Sequence, residues 1–203
     1  MKVALIGASG NAGSCIQDEL MKRGHQVTAI ARNASRIKKA AGVLPVAVDA
    51  NNEAELTGVL KGHDAVISAV MFTSSNPETL ISAVKKAGIR RYLVVGGAGS
   101  LEVAPGVRVI DTPDFPAEYK PEASAGALFL ERLQREPALD WTFLSPSAEF
   151  VHGPRTGTFR LGEDSLLVDQ KGRSHISFED YAIAMVDELE QGRHLRNRFT
   201  VGY

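Results

Sequence analysis

The chain has 203 residues, 44% of them hydrophobic, enough to bury a sizeable core within one domain spanning 1–203. Twenty-three basic side chains stand against twenty-four acidic ones, and the formal net charge of -1 argues against a nucleic-acid surface as the main function. The single cysteine, Cys15, excludes an internal disulfide framework or a thiolate cage, and no apolar run approaches the length of a bilayer span, so a cytoplasmic protein without a membrane partner is expected.

Residues 3–6 form a short apolar run with a β-branched residue at each end, which suits a strand buried on both faces. The chain enters this strand directly, with no separate leader ahead of it, so secretion is not expected. Gly7, Gly10 and Gly13 follow at every third position, and residues 12–21 read as a helix. Strand, glycine turn and helix in that order bring backbone N–H groups and the positive end of a helix to where a pyrophosphate can sit. The expected roles are turn formation at Gly7, phosphate approach at Gly10 and close helix–strand contact at Gly13. A Walker loop is excluded, since Gly13-Ser14 carries no lysine.

A second strand is expected over 27–31, followed by Arg32. Sites specific for NAD commonly carry an acidic residue about twenty positions past the glycines. A guanidinium there offers paired donors to a 2'-phosphate, so NADP(H) is the expected preference and NAD(H) the alternative. Residues 43–48 read as a third strand, which Pro45 assigns to a sheet edge. Asp49 follows, placed either to meet adenine or to cap the helix expected over 53–60. Residues 64–70 read as a fourth strand whose end, Ala69-Val70-Met71, reaches the cofactor side, and Asn76-Pro77 opens a helix through Lys86.

The fifth strand, 91–95, runs into Gly96-Gly97-Ala98-Gly99-Ser100, a second candidate ligand contact at a strand C-terminus. Residues 101–118 carry Pro105, Pro113 and Pro116 with little periodicity, a length that suggests a lid or binding loop. A helix over 122–136 and a strand over 141–144 follow, and Ser145 to Phe150 leave that strand at the nicotinamide level. Residues 146–177 read as a small strand-and-loop cap with apolar pieces at 159–161 and 166–168. Ser177 is expected to cap a helix over 178–190 with Asp180 as its charged partner, and 198–201 form a last strand. Such alternation requires right-handed crossovers, hence a doubly wound, Rossmann-like parallel sheet with strand one in its interior and a small C-terminal cap over the ligand edge.

No catalytic machine stands out. The five histidines, His25, His63, His152, His175 and His194, show no metal-ligand spacing, so no metal is expected. His25 and His63 sit beside glycines and read as solvated, while His152 and His175 flank the cap. Four residues after Tyr119 stands Ala123, not the lysine that a tyrosine-dependent carbonyl reductase needs, although Tyr119 could still line a substrate site. Hydride transfer to a conjugated acceptor survives that absence, because the acceptor ring delocalises the electrons and solvent can deliver the proton.

GASGNAG at 7–13, AIARN ending at Asn33, Asp49, ISAV at 67–70, SPS at 145–147 and GRSHISFEDYAIAMVDELE at 172–190 together resemble the atypical short-chain dehydrogenase group that binds NAD(P)H. Within it they are most similar to the set called "putative NADH-flavin reductases", related to biliverdin reductase B and the NmrA-like sensors. The resemblance implies phosphate contacts at Gly7, Ala8, Ser9, Gly10, Asn11 and Ala12, with Gly13 completing the motif. It further implies Arg32 on the adenosine phosphate, Asp49 or its backbone on adenine, and nicotinamide packing near Ala69, Val70, Gly97, Pro146 and Ser147. The expected function is reduction of free flavin or a similar conjugated small molecule, with catalytic side chains unassigned. The alternative is a non-catalytic NADP(H)-binding sensor acting on a protein partner. Monomer and homodimer both stay open.

Overall fold

A computed structural model describes residues 1–203. The elements in chain order are β1 (Lys2–Ile6), α1 (Asn11–Lys22), β2 (Gln26–Ala31), β3 (Val43–Ala47), α2 (Glu53–Leu60), β4 (Ala65–Ser68), α3 (Pro77–Lys86) and β5 (Arg91–Val95). A hairpin of β6 (Glu102–Ala104) and β7 (Val107–Arg108) follows, then α4 (Lys120–Gln134), β8 (Asp140–Ser145), β9 (Glu149–Val151), β10 (Arg160–Gly162), β11 (His175–Ser177), α5 (Phe178–Gln191) and β12 (Asn197–Gly202).

Eight strands form one sheet in the order β10-β12-β8-β5-β4-β1-β2-β3. All neighbours are parallel except β10, which runs antiparallel to β12. Successive side chains of a strand face opposite sides, and β1 shows the result. Val3 and Leu5 join a core layer with Ile16 and Leu20 of α1 and Tyr181 and Met185 of α5. Ala4 and Ile6 join the opposite layer with Leu56 of α2, Leu80 of α3 and Phe129 of α4. Covering both faces accounts for the near-continuous apolar runs of the central strands. The chain leaves β3, returns across β2 and β1 and continues through β4, so the strand order reverses between the parallel neighbours β1 and β4, where open α/β sheets bind ligands.

Several expectations are corrected. The fourth strand ends at Ser68, which leaves Ala69 and Val70 in the turn beyond it. Residues 159–161 do not belong to the cap, because β10 extends the main sheet; the cap sheet is β9 paired in parallel with β11. Residues 166–168 form no strand and are held by the β6 hairpin, where Leu166 N–H donates to the Glu102 carbonyl. His25 is buried rather than solvated, with Nε2 2.8 Å from Glu190 Oε1. His63 is bound on both sides, its Nδ1 2.8 Å from the Leu60 carbonyl and its Nε2 2.7 Å from Thr28 Oγ1.

Ser177 does cap α5, accepting from Asp180 N–H at 3.0 Å. Asp180, however, turns away from the helix start. Its buried carboxylate accepts from Thr156 N–H and Gly157 N–H, each at 2.8 Å, from Thr156 Oγ1 at 2.5 Å, and from the Tyr203 hydroxyl at 2.7 Å. One carboxylate thereby ties the cap loop and the C-terminal residue to α5.

Candidate functional site

The glycine turn has a steric origin. Gly7 sits at φ +85°, and a Cβ there would lie 2.4 Å from the Ala69 carbonyl oxygen. A Cβ on Gly13 would lie 2.2 Å from the Gly7 carbonyl oxygen, so α1 docks on the turn backbone to backbone. Gly10 differs, since a Cβ there would meet Gly7 O at 3.4 Å, an ordinary contact. Space at Gly10 is therefore left on the side open to a ligand.

The first turn of α1 is also set apart from those of the other helices. α2, α3 and α5 are capped by Asn52, Asn76 and Ser177, each accepting from a backbone N–H and each followed by first-turn acids. α4, which starts at Lys120, has no side-chain cap but carries Pro121 and the acidic Glu122 in its first turn. α1 begins at Gly10 with no side-chain cap and no acidic residue. Uncapped N–H groups without a competing carboxylate suit an external anion, which fits the dinucleotide pyrophosphate that the motif implies.

A cleft crosses the C-terminal ends of β1, β2, β3 and β4. Gly7, Ser9, Gly10, Arg32, Asp49, Ala69 and Val70 line it together with Ala31, Met71 and Ser74. Arg32 is exposed and forms no ion pair, so its guanidinium is free to meet a ligand. Asp49 is committed on one side, with Oδ1 accepting from Asn51 N–H at 2.9 Å; the α2 cap is Asn52. Ala8, Asn11, Ala12 and Gly13 lie outside this lining. Ala8 and Gly13 are buried beneath the turn, and Asn11 and Ala12 begin α1.

Beyond Met71 the cleft gives way to a second pocket of about 520 Å³, of the size that holds small organic ligands. Gly96 to Gly99 after β5 form its floor, and Pro146, Ala148 and Phe150 after β8 form one wall. Phe72, Tyr119 and Ala123 close another side, and Val109, Thr112, Asp114, Phe115 and Pro116 come from the 101–118 segment expected to be a binding loop. Of the residues expected at the nicotinamide end, Gly97 and Pro146 line this pocket and Ser147 does not. Ser147 is buried, its hydroxyl donating to the Val201 carbonyl at 3.0 Å.

Phe72 and Glu122 carry no sequence signal of their own, and the fold shows why they matter. Phe72 stacks with Phe143, ring centroids 6.0 Å apart, and meets Phe129 edge to face. The Glu122 carboxylate accepts from Phe72 N–H at 2.6 Å and Thr73 N–H at 2.9 Å, and from Thr73 Oγ1 at 2.7 Å. It thereby pins the loop after β4 to the start of α4. No tyrosine–lysine pair faces the pocket. Tyr119 is 63% exposed at its rim, while burial pushes the Tyr181 phenol well above its ordinary value and its hydroxyl donates to the Leu144 carbonyl.

The model of the family described as NAD(P)H-binding matches residues 7–192. The uncharacterized protein YwnB of Bacillus subtilis (strain 168) is 46% identical over 212 residues, covering 99% of this chain and 98% of its own. A solved structure from Streptococcus pneumoniae TIGR4, described as a "putative NADH-flavin reductase", is 39% identical with a TM-score of 0.84, covering 100% of this chain and 99% of its own. Another from Bacteroides thetaiotaomicron, described as a "putative epimerase", is 45% identical with a TM-score of 0.94, covering 100% of this chain and 96% of its own. No helix is long and apolar enough to cross a membrane. The match across nearly the whole chain, on a sheet whose glycine turn leaves a helix N-terminus open to an anion, makes this protein a member of the NAD(P)H-binding Rossmann family.

Proposed function

We propose that the protein is an NADPH-preferring oxidoreductase that reduces a free flavin or a similar conjugated ring. The observation that carries this reading is the apolar pocket adjoining the glycine cleft, which is rich in aromatic and proline side chains and has no tyrosine–lysine pair. A bound dihydronicotinamide supplies the hydride, and a conjugated acceptor takes it with a proton from solvent, so no protein acid is required.

The chain's own residues then bind, orient and exclude. The turn from Gly7 to Ala12 holds the pyrophosphate through backbone N–H groups, with Gly13 keeping α1 close. Arg32 pairs with the adenosine 2'-phosphate, and Asp49 or its neighbouring backbone meets adenine. Ala69, Val70, Gly97 and Pro146 pack against the nicotinamide, with Ser147 fixing the backbone behind Pro146 through its bond to Val201. Phe72, Tyr119 and Phe150 give the acceptor flat apolar surfaces, which restrict it to the stacked geometry in which rings exchange a hydride.

The test is steady-state loss of NADPH absorbance with purified protein and FMN, FAD, riboflavin or a quinone, with NADH run in parallel. Saturable oxidation that favours NADPH supports the reductase. Tight NADPH binding without turnover on the whole panel supports the alternative, an NADP(H)-binding sensor that acts on a protein partner.

A further inference from the structure

Sequence spacing gives no metal site because donors far apart in the chain do not announce themselves. The fold brings three together. Cys15 on the second turn of α1, His152 in the loop after β9 and Glu179 on the first turn of α5 each offer a ligand atom, and these atoms all lie within 4.8 Å of one another. His152 Nδ1 is 3.0 Å from Glu179 Oε1, whose other oxygen accepts from Gly153 N–H at 2.9 Å. The ring of Phe178 packs edge-on against His152, with centroids 4.9 Å apart.

We propose that Cys15, His152 and Glu179 form a binding site for a single divalent ion of the zinc class, separate from the dinucleotide cleft. One sulfur, one nitrogen and one oxygen donor are the mixed set that a borderline-soft ion accepts, and three protein ligands leave a fourth position for water. Tetrahedral zinc holds its ligand atoms about 3.5 Å apart. The three ligand atoms, all within 4.8 Å of one another, lie near that spacing, and the His152 side chain is 58% exposed.

The carboxylates of Glu179 and Asp18 beside the thiol attract a cation, and binding of the cation displaces the thiol proton to solvent.

An ion here would join α1, α5 and the cap loop two residues beyond Phe150, which lines the acceptor pocket. Its role is to fix that pocket wall against the dinucleotide-binding helix.

The experiment is titration of the chelator-stripped full chain with Co2+ alone, followed by near-ultraviolet absorbance. Cys15 is the only cysteine, so any thiolate-to-cobalt charge-transfer band reports this site. The expected result is a band that saturates at one equivalent, is displaced by Zn2+ and is absent from Cys15→Ser. His152→Ala, a change at an exposed loop residue, is expected to weaken Co2+ by more than about tenfold, since loss even of an outer-shell partner costs that much. Circular dichroism and NADPH binding of the metal-free variants check that they are folded. Absence of the band at one equivalent, or an unchanged Co2+ affinity in His152→Ala, overturns the proposal.

Discussion

At the scale of single residues, the three glycines of the turn have different physical jobs, and substitution separates them. Gly13→Ala drives a Cβ to 2.2 Å from the Gly7 carbonyl oxygen, both atoms belonging to elements the sheet holds in place. The expected cost is about 3 kcal/mol of stability, read in denaturant unfolding. At Gly10 a Cβ meets nothing closer than 3.4 Å and the backbone is extended at φ -82°, so Gly10→Val is expected to fold and lose NADPH binding. Arg32 is a second residue-scale discriminator. It lines the cleft and has no protein partner, so Arg32→Ala removes nothing from the fold. A charge-assisted bidentate contact contributes roughly 1.5–3 kcal/mol, so NADPH affinity should fall on the order of 10- to 100-fold while NADH affinity stays level in parallel titrations. The signals for these positions were legible in the sequence because glycine spacing and a basic residue at a strand end are local. Phe72 and Glu122 were not, since each owes its role to a partner about fifty positions away.

At the scale of elements, local chemistry predicted the helices better than the cap. Asn76-Pro77 and Ser177 start their helices as their side chains dictate, and Pro45 lies on an edge strand because it lacks an N–H to donate. β9, β10 and β11 are three residues each, too short to carry a period, and which sheet each joins depends on tertiary contact. Asp180 shows the same limit. Its position suggested a local capping partner, yet tertiary donors from the cap loop and Tyr203 win its carboxylate. Asp180→Ala is therefore expected to do more than weaken one helix end. Removing the fully buried carboxylate breaks the bonds that Thr156, Gly157 and Tyr203 make to it, which should cost about 3 kcal/mol, and amide exchange at 153–158 should rise well before global unfolding. If exchange in that loop matched the parent protein, the carboxylate would not be what holds the cap.

At the scale of the molecule, the sheet order puts an anion-ready helix and an apolar pocket side by side, and neither is sufficient alone. The glycine cleft is the proposed dinucleotide site, and the pocket bounded by Phe72, Gly97, Pro146, Tyr119 and Phe150 is the proposed site of a planar reaction partner. The doubly wound fold was legible because alternating strands and helices admit few topologies. Much of the pocket was legible as well, in the glycine patch after β5, the 101–118 segment, Tyr119 and the turn after β8; its closure by Phe72 and the start of α4 was not, because only the crossovers bring those segments together. The proposed chemistry is direct hydride transfer between two rings held across that boundary. The most direct measurement is an anaerobic single turnover in which NADPH absorbance and flavin absorbance are followed together, with NADPH deuterated at the transferred position in a second run. The two signals are expected to decay with one rate constant, and deuteration is expected to slow both. NADPH that binds tightly but is not oxidised by any flavin or quinone offered would contradict it.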